Sequence, residues 1–213
     1  MRRVRSKVCG LRGLADVQAC ISGGADAIGL VFHASSPRHV TIEEAVVLSH
    51  AASPFVTVVG LFVDAPLDQV RETARSCRLN VIQLHGEESP EYCSALRNDY
   101  PVLKAARLRD QDSVLALGRY HDCVDALLLD AYVAGQAGGT GHSFDWSWFN
   151  AARESVDEPL ILAGGLTPDN VAAAIARTHP YAVDVSSGVE SEPGIKVPSK
   201  ILRFLMNLQG ATR

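Results

Sequence analysis

The sequence lacks the features that mark several common classes of protein. Its five cysteines form no Cys-x-x-Cys pair, which argues against a structural zinc site or a disulfide framework and favours a reducing, cytoplasmic setting. No apolar run approaches the ~18 residues that a membrane span needs. The net charge is −4 and no basic stripe with interleaved aromatic residues is present. We therefore expect neither a membrane nor a nucleic acid as a partner.

What the chain does contain is enough apolar material for one substantial core. It has 213 residues, of which 47% are hydrophobic and 21% charged, and these proportions exclude a disordered protein. No linker or shift of composition divides it. We predict a single domain over residues 1–213.

Strand-like and helix-like segments alternate along the whole sequence. The predicted strands are Val4–Cys9, Ala27–Phe32, Val56–Val63, Asn80–Gly86, Val102–Ala105, Asp125–Asp130, Pro159–Ala163 and Ala182–Val185. The predicted helices between and after them are Asp16–Gly23, Thr41–Ala52, Pro66–Cys77, Pro90–Arg97, Asp112–Tyr120, Asp145–Glu154, Thr167–Arg177 and Pro198–Leu208. Eight such units predict an α/β protein with the (β/α)8 TIM-barrel fold. An open doubly wound sheet is the alternative, but no Gly-x-Gly-x-x-Gly follows the first strand.

In a (β/α)8 barrel the active site lies at the carboxyl ends of the strands. Cys9 ends the first strand, and strand alternation places Lys7 on the same face. A nearby lysine favours the thiolate, which makes Cys9 a candidate base or nucleophile; the alternative is a small buried packing residue. The other cysteines (Cys20, Cys77, Cys93 and Cys123) are assigned to predicted helices as packing residues.

The sixth strand ends at Asp130. A carboxyl group at the mouth of a barrel can keep a raised pKa and act as a general acid, although many aspartates only cap helices or form salt bridges. The glycine-rich stretch Gly138–Gly141 follows closely. It is either a loop that folds over a ligand or a surface excursion.

The last two strands end in small residues that favour phosphate binding. Gly164 and Gly165 follow the seventh strand, and Ser186, Ser187 and Gly188 follow the eighth. Loops at these two positions commonly bind phosphate in this fold through backbone N–H groups. The alternative is that the glycines only permit tight turns.

Three further candidate residues also lie at, or just after, the carboxyl ends of predicted strands. Arg38 could bind a substrate carboxylate with its guanidinium fork, whereas a solvated arginine is the plainer interpretation. His85 and Asp184 could orient substrate hydroxyls, although His85 could equally be a structural histidine. The histidines lack the paired spacing of a metal site, and we predict no metal.

Together these residues resemble the phosphoribosylanthranilate isomerase family. The motifs that carry the resemblance are Lys7-Val8-Cys9-Gly10, Gly29-Leu30-Val31-Phe32, Ser36-Pro37-Arg38, Gln83-Leu84-His85-Gly86, Leu129-Asp130, Gly138-Gly139-Thr140-Gly141, Phe144-Asp145-Trp146, Leu162-Ala163-Gly164-Gly165-Leu166 and Asp184-Val185-Ser186-Ser187-Gly188-Val189-Glu190. Each motif is weak alone, but their order and spacing cover nearly the whole chain.

The resemblance implies an enzyme of tryptophan biosynthesis. Such an enzyme converts N-(5'-phosphoribosyl)anthranilate to 1-(2-carboxyphenylamino)-1-deoxyribulose 5-phosphate by an Amadori rearrangement. The resemblance implies that Cys9 is the general base and Asp130 the general acid. It also implies that Arg38 binds the anthranilate carboxylate. We expect no cofactor, because the iminium intermediate is itself the electron sink. The phosphosugar-anthranilate substrate is the expected partner, and the chain is expected to be a monomer or a homodimer.

Other barrels fit less well. The histidine-pathway isomerase resembles this chain in fold but uses two aspartates, whereas the first strand here ends in Cys9. Indole-glycerol-phosphate synthase needs a catalytic lysine with a glutamate pair, and Lys104 lacks that context. A non-catalytic phosphate-binding barrel would need neither Cys9 nor Asp130.

Overall fold

A closed barrel of eight parallel strands forms the centre of the molecule. The computed structural model describes residues 3–52, 54–130 and 146–211. Strands β1 to β8 follow one another around the barrel in chain order, and β1 pairs with both β2 and β8. The strands are Arg5–Cys9, Ala27–Val31, Thr57–Phe62, Val81–Leu84, Val102–Arg107, Ala126–Asp130, Leu160–Ala163 and Ala182–Val185. The predicted (β/α)8 fold is confirmed, and closure excludes the open sheet.

Helices α1 to α8 follow the strands in turn. Their bounds are Leu14–Gly23, Ile42–Ala51, Leu67–Ser76, Pro90–Arg97, Gln111–Leu115, Ser147–Ser155, Val171–Thr178 and Pro198–Ala211. After β8 the chain forms a short 3₁₀ turn, Ser187–Val189, and then an antiparallel pair, β9 (Glu190–Glu192) and β10 (Ile195–Lys196). The sequence patterns did not indicate this small sheet. It carries Glu190, whose carboxylate binds Arg38.

Two predicted helices are shorter than the sequence patterns indicate. One is α7, which begins at Val171 rather than at Thr167. The other is α5: instead of a single helix over Asp112–Tyr120, α5 ends at Leu115 and a 3₁₀ segment continues to Tyr120. Asp110 caps the helix, since its carboxylate accepts from the Ser113 amide at 2.8 Å. Cys123 is not in a helix as predicted: it is half-buried in the turn before β6.

Strand alternation divides the apolar side chains between two regions. Val8 belongs to the large core between the strands and the helices, whereas Cys9 lies in a separate cluster inside the barrel. A Cβ built on Gly29 would lie 2.8 Å from Cys9 Sγ and 3.1 Å from Lys7 Cε. The side chains of Lys7 and Cys9 therefore face the barrel interior together, as predicted.

Candidate active site

A cavity of about 440 Å³ opens at the carboxyl ends of the strands. Most of the predicted site residues line it, namely Cys9, Arg38, His85, Asp130, Gly164, Gly165, Asp184, Ser186 and Ser187. Lys7 and Gly188 lie outside the lining. The cavity also contains Gln83 and Arg107, which the sequence interpretation did not select. The glycine-rich stretch Gly138–Gly141 and the predicted helix start at Asp145 lie outside the described residues.

Lys7 and Asp184 form a buried ion pair at the floor of the site. Lys7 Nζ donates to Asp184 Oδ1 at 3.0 Å, and their side chains are 5% and 9% exposed. Burial alone lowers the pKa of Lys7, but its other interactions, the largest of them with the Asp184 carboxylate, outweigh burial, so that the pKa is raised overall. Lys7 therefore remains a cation beside Cys9.

The Cys9 thiol has a pKa above the ordinary value, contrary to the expectation drawn from Lys7. Burial raises the pKa of Cys9 and is the largest influence, while Lys7 lowers it by less. Asp184 raises it further. Burial also raises the pKa of Asp184 itself, although the charge and hydrogen bond of Lys7 oppose that rise. The thiolate is thus the minor form of Cys9 at neutral pH, but a thiolate formed there is a strong base.

Asp130 lies at the end of β6, where a proton donor was expected. Burial raises the pKa of this carboxyl group, Arg107 opposes that rise, and Asp184 adds to it. The side chain is still 29% exposed to the cavity. A carboxyl group that retains its proton above the usual range and faces a ligand cavity can serve as a general acid.

His85 is a neutral neighbour of this acid. Burial lowers the pKa of His85 to about 4, with Lys7, Lys104 and Arg107 adding to the effect. Gln83 Nε2 lies 3.1 Å from His85 Nδ1. When this amide donates to Nδ1, the imidazole proton is on Nε2, which lies 3.9 Å from Asp130 Oδ2. His85 can therefore donate toward Asp130 or a substrate oxygen without carrying charge.

The two small-residue turns after β7 and β8 lie against each other. Gly164 and Gly165 have φ values of +83° and +63°, a backbone conformation that glycine adopts readily. A Cβ on Gly188 would lie 1.8 Å from the Leu166 carbonyl oxygen, so only glycine fits at this contact. The turn after β8 is joined to β1 by the Ser186 hydroxyl, which donates to the Cys9 carbonyl at 3.1 Å.

Arg38 was expected to bind a substrate carboxylate with its guanidinium fork, but one edge of that fork binds a glutamate of the protein. Its Nε and Nη2 atoms donate to the two carboxylate oxygens of Glu190 at 2.7 and 2.6 Å. Lys196 Nζ donates to the same carboxylate at 2.6 Å. The side-on fork of Arg38 is therefore occupied by a residue of the protein, although Arg38 still lines the cavity.

Lys104 was compared above with the catalytic lysine of another barrel family. Its amine instead binds other groups of the protein. Its Nζ lies 3.2 Å from Glu88 Oε2 and donates to the carbonyls of Gly86 and Ala105. Both members of this pair are almost fully buried, and neither lines the cavity. The structure gives no support to a synthase-type lysine site.

Over residues 3–52, 54–130 and 146–211, no helix is long and apolar enough to cross a membrane. Over the same ranges, no group of three or more His, Cys, Asp or Glu side chains is arranged to hold a metal ion.

Three features together define the class of protein to which this chain belongs. They are the closed barrel, a thiol and a carboxyl group at its mouth, and two glycine- and serine-containing turns after the last strands. These are the parts of a (β/α)8-barrel enzyme that moves protons on a phosphorylated substrate. The profile of the N-(5'-phosphoribosyl)anthranilate (PRA) isomerase family matches residues 6–207. The chain belongs to this family, and the resemblance drawn from the sequence is confirmed.

Similar proteins agree with this placement. A protein of Pseudomonas fluorescens named N-(5'-phosphoribosyl)anthranilate isomerase is 48% identical over 205 residues, covering 96% of this chain and 95% of that protein. The crystal structure of phosphoribosyl anthranilate isomerase from Thermotoga maritima superposes with a TM-score of 0.91 at 38% identity, covering 97% of this chain and 99% of that one.

A second solved structure shows a ligand. It is a phosphoribosyl anthranilate isomerase in complex with reduced 1-(o-carboxyphenylamino)-1-deoxyribulose 5-phosphate. It matches with a TM-score of 0.87 at 37% identity, covering 97% of this chain and 99% of that one.

Proposed function

We propose that this chain isomerises N-(5'-phosphoribosyl)anthranilate by proton transfer, with Asp130 as general acid and Cys9 as general base. The observation that carries the proposal is that both groups line one cavity together with Arg38 and the turns after β7 and β8. Membership of the family supports the reaction, and the positions of these residues around one cavity support the roles proposed for them.

The first step is opening of the ribose ring. Asp130 donates its proton to the ring oxygen while the bond between that oxygen and C1′ breaks, and the anilino nitrogen supplies the electrons that form the iminium ion. The raised pKa of Asp130 supports this role, because it keeps a larger share of the carboxyl group protonated.

The second step is loss of the C2′ proton. The Cys9 thiolate accepts this proton, and the electrons of the C–H bond flow into the iminium group to give an enolamine. Return of a proton to C1′ and loss of the enol proton then give the ketone product. The iminium ion serves as electron sink, so these steps need no cofactor.

The remaining residues bind and orient the substrate. The turns at Gly164–Gly165 and Ser186–Gly188 would hold the 5′-phosphate, and Arg38 would hold the anthranilate carboxylate. His85 and Asp184 would orient the ribose hydroxyls, and Lys7 would neutralise Asp184 at 3.0 Å. A small phosphorylated substrate is thus the partner that the cavity supports.

The test is turnover of freshly made phosphoribosylanthranilate, followed by the loss of anthranilate fluorescence. We expect Cys9→Ala and Asp130→Asn each to lower kcat by ~10²–10⁴-fold, the usual contribution of a general acid or base. Both variants should retain the circular dichroism spectrum of the barrel, because neither change removes a large buried group.

Two matched variants control for loss of any thiol or carboxylate. Cys123→Ala changes a half-buried thiol in the turn before β6, and Asp68→Asn changes an exposed carboxylate on α3. Both should keep full turnover. Near-normal turnover by Cys9→Ala would show that another group is the base, and a wild-type protein that binds the substrate without converting it would point to a non-catalytic barrel.

The single-domain extent over residues 1–213, the cytoplasmic setting and the alternatives of monomer and homodimer remain predictions from the sequence. Sedimentation of the purified protein distinguishes the two assembly states.

A further inference from the structure

The carboxylate of Glu190 lies between two cations beside the active site. Glu190 is on β9, its side chain is 4% exposed, and it does not line the cavity. Oε1 accepts from Arg38 Nε at 2.7 Å and from Lys196 Nζ at 2.6 Å, and Oε2 accepts from Arg38 Nη2 at 2.6 Å. Arg38 and Lys196 outweigh burial and lower the pKa of Glu190, so the carboxylate is charged.

This contact fixes the direction of the Arg38 guanidinium. A guanidinium group has five N–H donors in one plane, and Glu190 takes one from Nε and one from Nη2. Among the residues that the structure describes, no acceptor takes the end-on edge, made by Nη1 and the second N–H of Nη2, so this edge can bind a ligand. Arg38 lines the cavity, so this edge is the one that can meet a substrate carboxylate there.

Lys196 connects the same carboxylate to the rest of the site. Its Nζ donates to the Ser186 carbonyl at 3.1 Å and to Ser186 Oγ at 3.2 Å. Ser186 Oγ in turn donates to the Cys9 carbonyl at 3.1 Å. Glu190 is therefore the member of this network that joins Arg38 to the turn after β8 and to the end of β1.

We propose that Glu190 is a positioning residue that confers selectivity for a substrate bearing a carboxylate. It holds the end-on edge of Arg38 toward the cavity, so recognition of the substrate depends on a residue that does not touch it. The proposal rests on the proposed function, in which Arg38 binds the anthranilate carboxylate. Without Glu190, Arg38 would keep its charge but lose its direction, because its long side chain would sample other rotamers.

The experiment compares two inhibitors that differ by one carboxylate. The first is reduced 1-(o-carboxyphenylamino)-1-deoxyribulose 5-phosphate, and the second is the same compound with an unsubstituted phenyl ring. The ratio of their inhibition constants measures the carboxylate preference of each variant. A charged hydrogen-bonded pair predicts a wild-type ratio of roughly 10 to 100.

We expect Glu190→Gln to lower this ratio toward 1 although Arg38 is intact. Arg38→Met should lower it equally, and the double variant should show no further loss, because both changes remove one interaction. Glu190→Asp keeps the charge beside Lys196 but shortens the side chain, so it should lower the ratio without the folding cost of an unpaired buried lysine. With substrate, KM should rise more than kcat falls.

Glu192→Gln is the matched control, because Glu192 is an exposed glutamate on the same strand. It should leave the ratio unchanged. A wild-type ratio in Glu190→Asp and Glu190→Gln would overturn the proposal, as would an equal loss of affinity for both inhibitors. Failure of the underlying function looks different: the wild-type protein would not distinguish the inhibitors, or Arg38→Met would keep the preference.

Discussion

Cys9 illustrates how burial and a neighbouring cation act in opposite directions on one thiol. Lys7 favours the thiolate, as its place two residues away suggests, but desolvation is larger and raises the pKa overall. Burial cannot be read from the local sequence, because it depends on the strands that close around Cys9. The residue was thus identifiable from its place at a strand end, and its protonation state was not.

A chemical test follows for Cys9. We expect iodoacetamide to alkylate Cys9 slowly at pH 7 and faster as the pH rises beyond 9, because the reactive thiolate is the minor form below its raised pKa. Mass spectrometry of the peptide that contains Cys9 measures the rate. Protein carrying Cys9→Ala supplies the background, and a rate already maximal at pH 7 would show that Lys7 dominates burial.

Three residues at the site were not selected from the sequence, namely Gln83, Arg107 and Glu190. Gln83 is two positions before His85 on β4, so alternation alone would have placed both on the cavity face. Glu190 closes the last motif of the family resemblance, but no local pattern assigns it to Arg38, which is 152 positions away. Alternation was therefore an unused signal for Gln83, whereas the Glu190 contact exists only in the folded chain.

The turns after β7 and β8 act as one element because they touch. Gly188→Ala would place a methyl group 1.8 Å from the Leu166 carbonyl oxygen and push the two turns apart. We expect KM to rise roughly tenfold, the effect of losing one hydrogen bond to a charged phosphate. Steady-state kinetics, with inorganic phosphate as a competing ligand, measures the change.

Gly118→Ala is the control for this prediction, since a Cβ on Gly118 meets no atom of the described residues within 4 Å apart from its own stretch of chain. Its KM should equal that of the unchanged protein. If Gly188→Ala also keeps a normal KM for substrate and a normal inhibition constant for phosphate, the turns do not bind the phosphate together.

Most elements could be predicted because strand and helix patterns are local. Thr41 illustrates this, since its capping box with Glu44 places the start of α2 as the sequence indicates. The segment after Asp110 was harder, because a helix pattern does not show that α5 gives way to a 3₁₀ segment. The pair β9–β10 was missed because strands of two and three residues carry too little pattern.

At the scale of the whole molecule, the barrel makes its stability depend on pH through His85. Folding lowers the pKa of His85 from 6.5 to about 4, so the unfolded chain binds a proton there more tightly. The neutral form is favoured in the folded state, and its contribution is therefore complete above about pH 6.5 and is lost as the pH falls toward 4. Desolvation in the closed barrel is the main cause.

We expect the free energy of unfolding to fall as the pH is lowered from 6.5 to 4, with His85 contributing up to ~3 kcal/mol of the fall. Urea unfolding at several pH values measures it. His85→Gln should flatten this dependence, whereas His50→Gln, which changes an exposed histidine on α2, should leave the slope as it was. Equal slopes in all three proteins would contradict the shift.

The sequence by itself determined the eightfold alternation, the strand ends and the family, because periodicity, turn residues and motif order are properties of neighbouring residues. It thereby placed Cys9, Asp130 and the turns after β7 and β8 at one mouth. Only the tertiary structure decided which charges meet there and how far each group is desolvated. The pKa of Cys9 and the hydrogen bonds between Glu190 and Arg38 depend on strands that are far apart in the chain. The sequence does not show them, because electrostatic and desolvation energies depend on distance in space and not on distance along the chain.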